Sequence, residues 1–226
     1  MPVVLPIGHL DAGHPGGGAP VTALLALACV VVFVGPQDAG RSADWVQTFG
    51  TVPADLWRGG AGWPALTLVT SLVTHASWPH LLYNLTALWV FGAAVERAVG
   101  SARFAALFLV SGVLATLAQA ALWPASAAPI VGASGAVAAV AGAFAVAFPR
   151  ARVLVAAVFL TLPVRVWVAL GAWAAVEVAV GALAVFQTAG GAGTVAHGAH
   201  VAGFALGVGM MAAAGAARGR FGGSGS

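Results

Sequence analysis

Long apolar runs, separated by short stretches that contain arginine, proline or glycine, dominate this 226-residue sequence. Hydrophobic residues make up 61% of the chain and charged residues only 7%, whereas a soluble domain is usually about 25% charged. Because a membrane helix needs roughly 20 apolar residues, the length permits about six crossings. Continuous apolar runs favour helices over barrel strands, in which polar and apolar residues would alternate. The sequence therefore predicts an all-α polytopic membrane protein.

Six of these runs are predicted to be membrane helices. They lie at about residues 20–35, 79–98, 102–123, 130–148, 164–187 and 194–216. We expect a six-transmembrane-helix bundle over 20–216, preceded by a flexible tail rich in glycine and proline (1–19) and followed by a polar flexible tail (217–226). Residues 66–78 are expected to re-enter or skim the membrane, and residues 150–163 to lie at its interface.

The first apolar run, Val21–Val34, is about as long as the apolar core of a signal peptide. Residues 1–20, however, contain no lysine or arginine, so the positive segment that precedes such a core is missing. We therefore expect this run to be a membrane helix rather than a cleaved leader. The single cysteine, Cys29, lies within it and predicts a buried, inert thiol rather than a disulfide.

The arginines indicate how the chain is oriented. With six crossings, one face of the membrane holds most of them: Arg97, Arg103, Arg150, Arg152, Arg165, Arg218 and Arg220. The opposite face holds only Arg41 and Arg58. Basic residues collect on the cytoplasmic side, so both termini are predicted to be cytoplasmic in a multi-pass protein of the cell membrane. The arginines form no basic stripe, so no nucleic-acid partner is expected.

Four polar side chains on three of the predicted helices share one depth. With a rise of about 1.5 Å per residue, Ser134 lies roughly 6 Å and His200 roughly 9 Å below the outer end of its helix. His80 and Asn84 begin the second predicted helix and, being four residues apart, share one helix face. The four residues are therefore predicted to meet in the outer third of the membrane.

Stripes of small residues accompany the serine and the histidine. They comprise Ala138, Ala141 and Gly142 after Ser134, and Gly203 and Gly207 after His200. Small residues let membrane helices approach closely, so the fourth and sixth predicted helices are expected to pack together.

A serine beside a histidine in a dry site has the parts of an activated nucleophile. The oxyanion that forms after attack on a carbonyl needs hydrogen-bond donors, for which His80, Asn84 and the backbone around Gly132 are candidates. Glu177, near the middle of the fifth predicted helix, is expected to lie too deep to join them. The sequence therefore predicts a Ser134–His200 dyad without an acid, and neither a metal nor another cofactor.

Four motifs stand out over about residues 66–212: GASG at 132–135, HASWPHLLYN at 75–84, the Gly-x-x-x-Glu-x-x-x-Gly pattern of Gly92, Glu96 and Gly100, and GAHVAGFALG at 198–207. In type and order they resemble the motifs of the rhomboid family of intramembrane serine proteases. The resemblance implies cleavage of transmembrane protein substrates in the lipid bilayer, with Ser134 as nucleophile and His200 as base. It also implies that His80 and Asn84 help to hold the oxyanion.

One feature departs from the family pattern. Family members often carry Trp-Arg shortly before the second helix, where this chain has Leu66–Thr67, and its nearest such pair is Trp57–Arg58, upstream. In the resemblance that pair belongs to loop packing, so its displacement bears on loop structure and efficiency more than on the reaction.

Two alternative functions fit parts of the same pattern. One is a catalytically inactive rhomboid-like protein that binds membrane clients. The other is a membrane metalloenzyme or metal transporter that uses the four histidines His75, His80, His197 and His200. The second leaves Ser134 unexplained and is expected to lack a carboxylate among its ligands, and His75 and His197 are expected to be mostly structural.

Overall fold

The computed structural model describes residues 4–10, 18–37, 42–59, 62–157, 160–187 and 195–221. Helices dominate these residues. The helices are α1 (Pro20–Val32), α2 (Ser42–Phe49), α3 (Pro53–Gly59), α4 (Trp63–Thr70), α5 (Trp78–Ala87), α6 (Ala93–Val99), α7 (Ser101–Leu122), α8 (Ser134–Ala147), α9 (Val166–Gln187) and α10 (His197–Phe221). A π-helical turn, Leu88–Gly92, joins α5 to α6, so the two continue as one helix. A second π-helical turn, Phe33–Gln37, extends α1, and a 3₁₀ turn, Ser71–Val73, follows α4.

Each of the six predicted membrane segments contains a helix. Three helical stretches, Ser101–Leu122, Val166–Ala184 and His197–Gly215, are long and apolar enough to cross a membrane. Shorter apolar helices cover Pro20–Gly35, Trp63–Val73 and Ser134–Ala147. The fold is thus mostly helical and suited to a membrane, and the number of six crossings stays a prediction.

A three-stranded antiparallel sheet corrects the expectation of an all-α chain. Strand β1 (Val4–Leu10) pairs with β2 (Arg152–Ala157), and β2 pairs with β3 (Leu160–Arg165), in the order β1-β2-β3. β2 and β3 lie in the segment expected at the membrane interface. Their runs of valine and leucine favour extended structure, and the Val153 side chain is buried in the core.

The predicted flexible tail over 1–19 also differs, because β1 lies within it and packs beside α5. The His9 ring of β1 lies 5.2 Å from the ring of Phe144 on α8. Pairing with β2 gives backbone N–H and C=O groups of β1 their hydrogen-bond partners. The sequence alone did not indicate this pairing. Of the predicted tail over 217–226, residues up to Phe221 continue α10, and 222–226 lie outside the described residues.

Helix α8 forms the centre of the bundle and is buried along almost its whole length. Its composition explains this position, because alanine and glycine let α7 and α10 come close on different sides. The larger side chains of its inner half, such as Phe144, pack into the main core with Phe91, Phe104 and Phe108.

The closest helix contact joins α10 to α8. A Cβ atom on Gly203 or on Gly207 would lie well inside the van der Waals contact distance of a backbone carbonyl oxygen of α8, at Gly135 and Ala139 respectively. The expectation that Gly203 and Gly207 mark a close approach is therefore confirmed. Of the small residues predicted to face them on α8, Gly142 takes part, against the carbonyl of Phe204.

A buried carboxylate connects three helices of the bundle, α1, α6 and α7. Glu96 on α6 is 1% exposed. It accepts hydrogen bonds from the backbone N–H groups of Val21 (3.0 Å) and Thr22 (2.8 Å), from the Thr22 hydroxyl (2.8 Å) and from the Ser101 hydroxyl (2.6 Å). A carboxylate at the first turn of α1 satisfies N–H groups that have no partner within the helix and favours the positive end of the helix dipole.

We predict that Gly207→Ala destabilises the protein whereas Gly209→Ala does not. The first substitution forces α8 and α10 apart, which costs about 1–3 kcal/mol. The second adds a methyl group at another position of α10, where no neighbouring group of the described structure lies within 4 Å. Unfolding of both variants in detergent micelles, by heat or by SDS, measures the difference. Equal midpoints for the two variants would contradict the close contact.

Candidate active site

Ser134 is the first residue of α8, and the loop before it is anchored on both sides. Thr51 and Ile130 exchange backbone hydrogen bonds of 2.9 and 2.8 Å. Gly132 has a φ of +107°, a conformation that favours glycine, and its N–H donates to the Ser71 carbonyl at 2.9 Å. The half-buried Ser134 therefore lies at the positive end of the α8 dipole, beside N–H groups of the first helical turn.

His80 and Asn84 lie on α5 directly against this loop. A Cβ atom built on Gly132 would stand 2.6 Å from His80 Nε2 and 3.7 Å from Asn84 Nδ2. The Ser77 hydroxyl caps α5 by accepting from the His80 N–H at 3.4 Å. The Ala76 N–H faces His80 Nδ1 at 3.5 Å, which favours the tautomer with its proton on Nε2. The structure thus brings His80, Asn84 and Gly132 together beside Ser134.

The Asn84 side chain is buried with one polar atom unsatisfied. Nδ2 donates to the His80 carbonyl at 3.0 Å, and the residue is 2% exposed. Oδ1 has no hydrogen-bond partner among the described residues. Leaving a buried acceptor unpaired costs about 1–3 kcal/mol, and such atoms call for a structural or functional reason.

Gly132 contributes space to the site rather than a hydrogen-bond donor. Its own N–H is already donated to Ser71, so it is not a spare donor in this structure. Its lack of a side chain makes room for the His80 ring.

Two imidazoles of α10 converge on one carboxylate oxygen of α9. Glu177 Oε2 lies 2.9 Å from His200 Nδ1 and 2.7 Å from His197 Nδ1. The side chains of Glu177, His200 and His197 are 13%, 15% and 16% exposed, so the cluster is largely but not fully enclosed. A carboxylate accepting from Nδ1–H of His200 leaves the lone pair on Nε2.

The expectation that Glu177 lies too deep to reach His200 is wrong. The depths were predicted by counting residues from the end of each helix, which assumes that every helix starts at the membrane surface. Instead, the first turn of α10 lies level with Glu177, although α9 continues from there to Gln187. The related expectation that no carboxylate joins the histidines is wrong for the same reason.

Helices α8 and α10 place Ser134 and His200 in neighbouring turns. A Cβ atom on Gly135 would lie 3.5 Å from the Ala199 carbonyl oxygen, and Gly203 packs against Gly135 from the other helix. Within the described residues, no hydrogen bond joins Ser134 to His200, and the His200 imidazole bonds instead to Glu177. The dyad itself therefore stays a prediction.

Two residues that the sequence analysis did not select also hold the histidine helix. Gln119 Oε1 on α7 accepts a hydrogen bond from the Ala199 N–H at 3.1 Å, next to His200. The Trp173 ring on α9 lies 6.1 Å from the His200 ring. A buried glutamine within an apolar helix was the signal available for Gln119.

His75 supports the site from the loop before α5. It is buried, its Nδ1 lies 3.3 Å from the Val73 carbonyl, and its ring is 5.2 Å from that of His80. Burial, helped by the neighbouring His80, lowers the pKa of His75 to about 4. His75 is therefore neutral near pH 7 and contributes packing and hydrogen bonds rather than charge.

Comparison with known proteins finds similarity to a family model and to a curated relative. A family model described as the Rhomboid domain matches residues 55–217. The Rhomboid protease GluP of Bacillus subtilis (strain 168) is 33% identical over 114 residues, which are 50% of this chain. The same alignment covers only 21% of that relative's length.

We predict that Gly132→Ala disturbs the His80 ring, whereas Gly100→Ala strains only the backbone. Both glycines have positive φ, +107° and +88°, so alanine costs about 1–2 kcal/mol at either position. Only the Gly132 variant also places a methyl group against His80. Imidazole NMR resonances of the two variants, compared with the parent chain, test this. Unchanged His80 resonances in Gly132→Ala would refute the contact.

Proposed function

We propose, since the chain belongs to the rhomboid family, that it is a serine endopeptidase that cleaves transmembrane segments of membrane proteins. The Rhomboid domain and the long apolar helices indicate an integral membrane protein. The observation that carries the proposal is that the first turns of α5, α8 and α10 bring donors, a hydroxyl and an imidazole to one end of the bundle. Six crossings and cytoplasmic termini, as the arginine pattern predicts, belong to the same proposal.

In the proposed mechanism, His200 takes the Ser134 proton on Nε2. The carboxylate of Glu177 holds the opposite nitrogen, Nδ1, as a donor, which selects the tautomer that a general base needs. Ser134 Oγ then bonds to the substrate carbonyl carbon. His200 later gives the proton to the leaving amine, and water hydrolyses the acyl-enzyme by the reverse exchange. Glu177 thereby adds a positioning residue to the predicted dyad.

The oxyanion forms where three kinds of donor are directed. The His80 ring presents Nε2 and Asn84 presents its amide toward the space over Gly132. The N-terminal turn of α8 adds backbone N–H groups and the positive end of its dipole. Donors that are already in place when charge develops stabilise it without reorganisation, which is the main electrostatic contribution in such sites.

A substrate helix must reach this site from the side. We propose that it approaches near α5 and α9, because only 11% of the apolar stretch of α9 that is long enough to cross a membrane is buried. Its end must unwind before attack, since a helix keeps its carbonyl groups in internal hydrogen bonds. Water for deacylation enters from the outer face above His80.

The displaced Trp-Arg pair has a structural role in this chain. Trp57 on α3 donates from Nε1 to the Ala120 carbonyl on α7 at 3.2 Å, which fastens the segment between the first two predicted membrane helices to the bundle. At the family position of the pair, Thr67 is buried and its hydroxyl donates to the Pro64 carbonyl at 2.6 Å. The Trp57 bond joins two helices, whereas the Thr67 bond lies within α4, so the displaced pair bears on loop packing and leaves the alternative of an inactive relative that binds membrane clients open.

We predict that Ser134→Ala and His200→Ala each lose about 10⁴-fold or more in kcat, because members of such a unit fail together. Asn84→Ala is expected to lose about 10-fold to 10³-fold, as one of several oxyanion donors. The purified chain, incubated with a panel of single-span membrane proteins, provides the assay. Labelling by a serine-directed phosphonate that is absent in Ser134→Ala separates the enzyme from an inactive relative. Cleavage that persists in Ser134→Ala would refute the proposal.

We predict that Glu177→Gln lowers kcat by about 10-fold to 10³-fold with little change in KM, because the carboxylate acts on His200 and not on substrate. Long-range ¹H–¹⁵N NMR correlations of His200 report the tautomer directly and need no substrate. Asp55→Asn, which changes an exposed carboxylate on α3, is the control. A kcat within twofold of the parent chain and an unchanged tautomer would remove Glu177 from the mechanism.

A further inference from the structure

The cluster of Glu177, His197 and His200, here called the α9–α10 cluster, has the composition of a metal site. One carboxylate oxygen and one ring nitrogen from each of the two histidines lie within 4.8 Å of one another. Two histidines with one carboxylate is a ligand set that Zn²⁺ uses, with a further position left for water. A hydroxyl nucleophile does not require His197, so the proposed proteolysis leaves that residue unexplained.

The distances suit a tetrahedral ion after a small adjustment. With metal–ligand bonds of about 2.0–2.2 Å, ligand atoms around tetrahedral zinc stand about 3.3 Å apart. The carboxylate oxygen is now 2.7 Å from His197 and 2.9 Å from His200. A separation greater by about half an ångström, within reach of side-chain rotation, would let an ion replace the two shared protons.

The backbone around the cluster is already in place. His197 and His200 lie one turn apart on α10, so they share a helix face. The α10 turn is held by Gln119, through the Ala199 N–H. On α9, Gly181 lies one turn beyond Glu177, and a Cβ atom there would stand 3.1 Å from the His197 Cβ. The glycine therefore lets α10 bring His197 up to the carboxylate.

Charge also favours a cation. The carboxylate brings one negative charge, and the imidazoles bind a metal in their neutral form. The other titratable groups near the cluster are His80 and Tyr83 of α5, neither of which adds a positive charge while His80 is neutral. The exposure of 13–16% leaves a path for an ion from solvent.

We propose that the α9–α10 cluster binds Zn²⁺ and that the bound ion holds proteolysis off. The inhibitory half rests on the proposed function, and the binding half does not. When Zn²⁺ takes the lone pair of His200 Nδ1, the imidazole proton moves to Nε2. His200 then has no lone pair to accept the Ser134 proton. The ion thus blocks the base by fixing the wrong tautomer, without covering the serine.

Calorimetric titration of ZnCl₂ into the full chain carrying Ser134→Ala tests binding without any proteolysis. One zinc per chain is expected, with affinity lowered at least 10-fold by His197→Ala or Glu177→Gln and unchanged by Asp55→Asn. Replacement by Co²⁺ gives a second measurement, because a tetrahedral site has an intense visible absorption. The thermal midpoint of each variant without metal identifies any that misfold. Absence of stoichiometric binding to the folded Ser134→Ala chain overturns the proposal.

Inhibition is tested on the chain with Ser134 intact. Zn²⁺ is expected to lower phosphonate labelling and substrate cleavage at least 10-fold, with recovery on addition of EDTA. Each variant is compared with its own metal-free rate, and His197→Ala is expected to need at least 10-fold more zinc. Binding without inhibition overturns the inhibitory half. A chain that binds zinc but never labels at Ser134 contradicts the proposed protease and leaves the metal site standing.

Discussion

The contact between the backbones of α8 and α10 is the constraint on which the rest of the site depends. Gly203 and Gly207 bring α10 onto the carbonyl groups of Gly135 and Ala139, closer than any side chain permits. Packing at this distance supplies the dispersion energy that holds membrane helices together, where lipid offers no hydrophobic drive. It also sets the height of α10, and hence of the His200 imidazole, relative to Ser134.

Around this pair, polar groups are placed by backbone hydrogen bonds rather than by side chains alone. The Ser71 carbonyl holds Gly132, Thr51 holds Ile130, and Gln119 holds the first turn of α10. Each contact comes from a different part of the chain, so the site is assembled only when the loops and the bundle have both folded. Such cross-connection keeps reactive groups rigid in an environment where an unsatisfied polar atom is costly.

Much of this arrangement follows from the sequence because it depends on local spacing. Four-residue spacing puts His80 and Asn84 on one face, apolar runs locate the helices, and glycines at 203 and 207 mark the close approach. The meeting of Glu177 with His200 depends instead on the offset between α9 and α10, which no local pattern encodes. The pairing of β1 with β2 is equally non-local, since strands 142 or more residues apart supply each other's partners.

The side chains of Ser134, His200 and Glu177 belong to helices that are held in the bundle to different extents. Ser134 and His200 are carried by the tightly joined helices α8 and α10, whereas Glu177 is carried by α9, little of which is buried in the bundle. A substrate helix that displaced α9 outward would move the Glu177 carboxylate away from His200 Nδ1, while Ser134 and His200 would keep their spacing. In the proposed enzyme, the position of α9 would thereby affect the basicity of His200 through its hydrogen bond to Glu177.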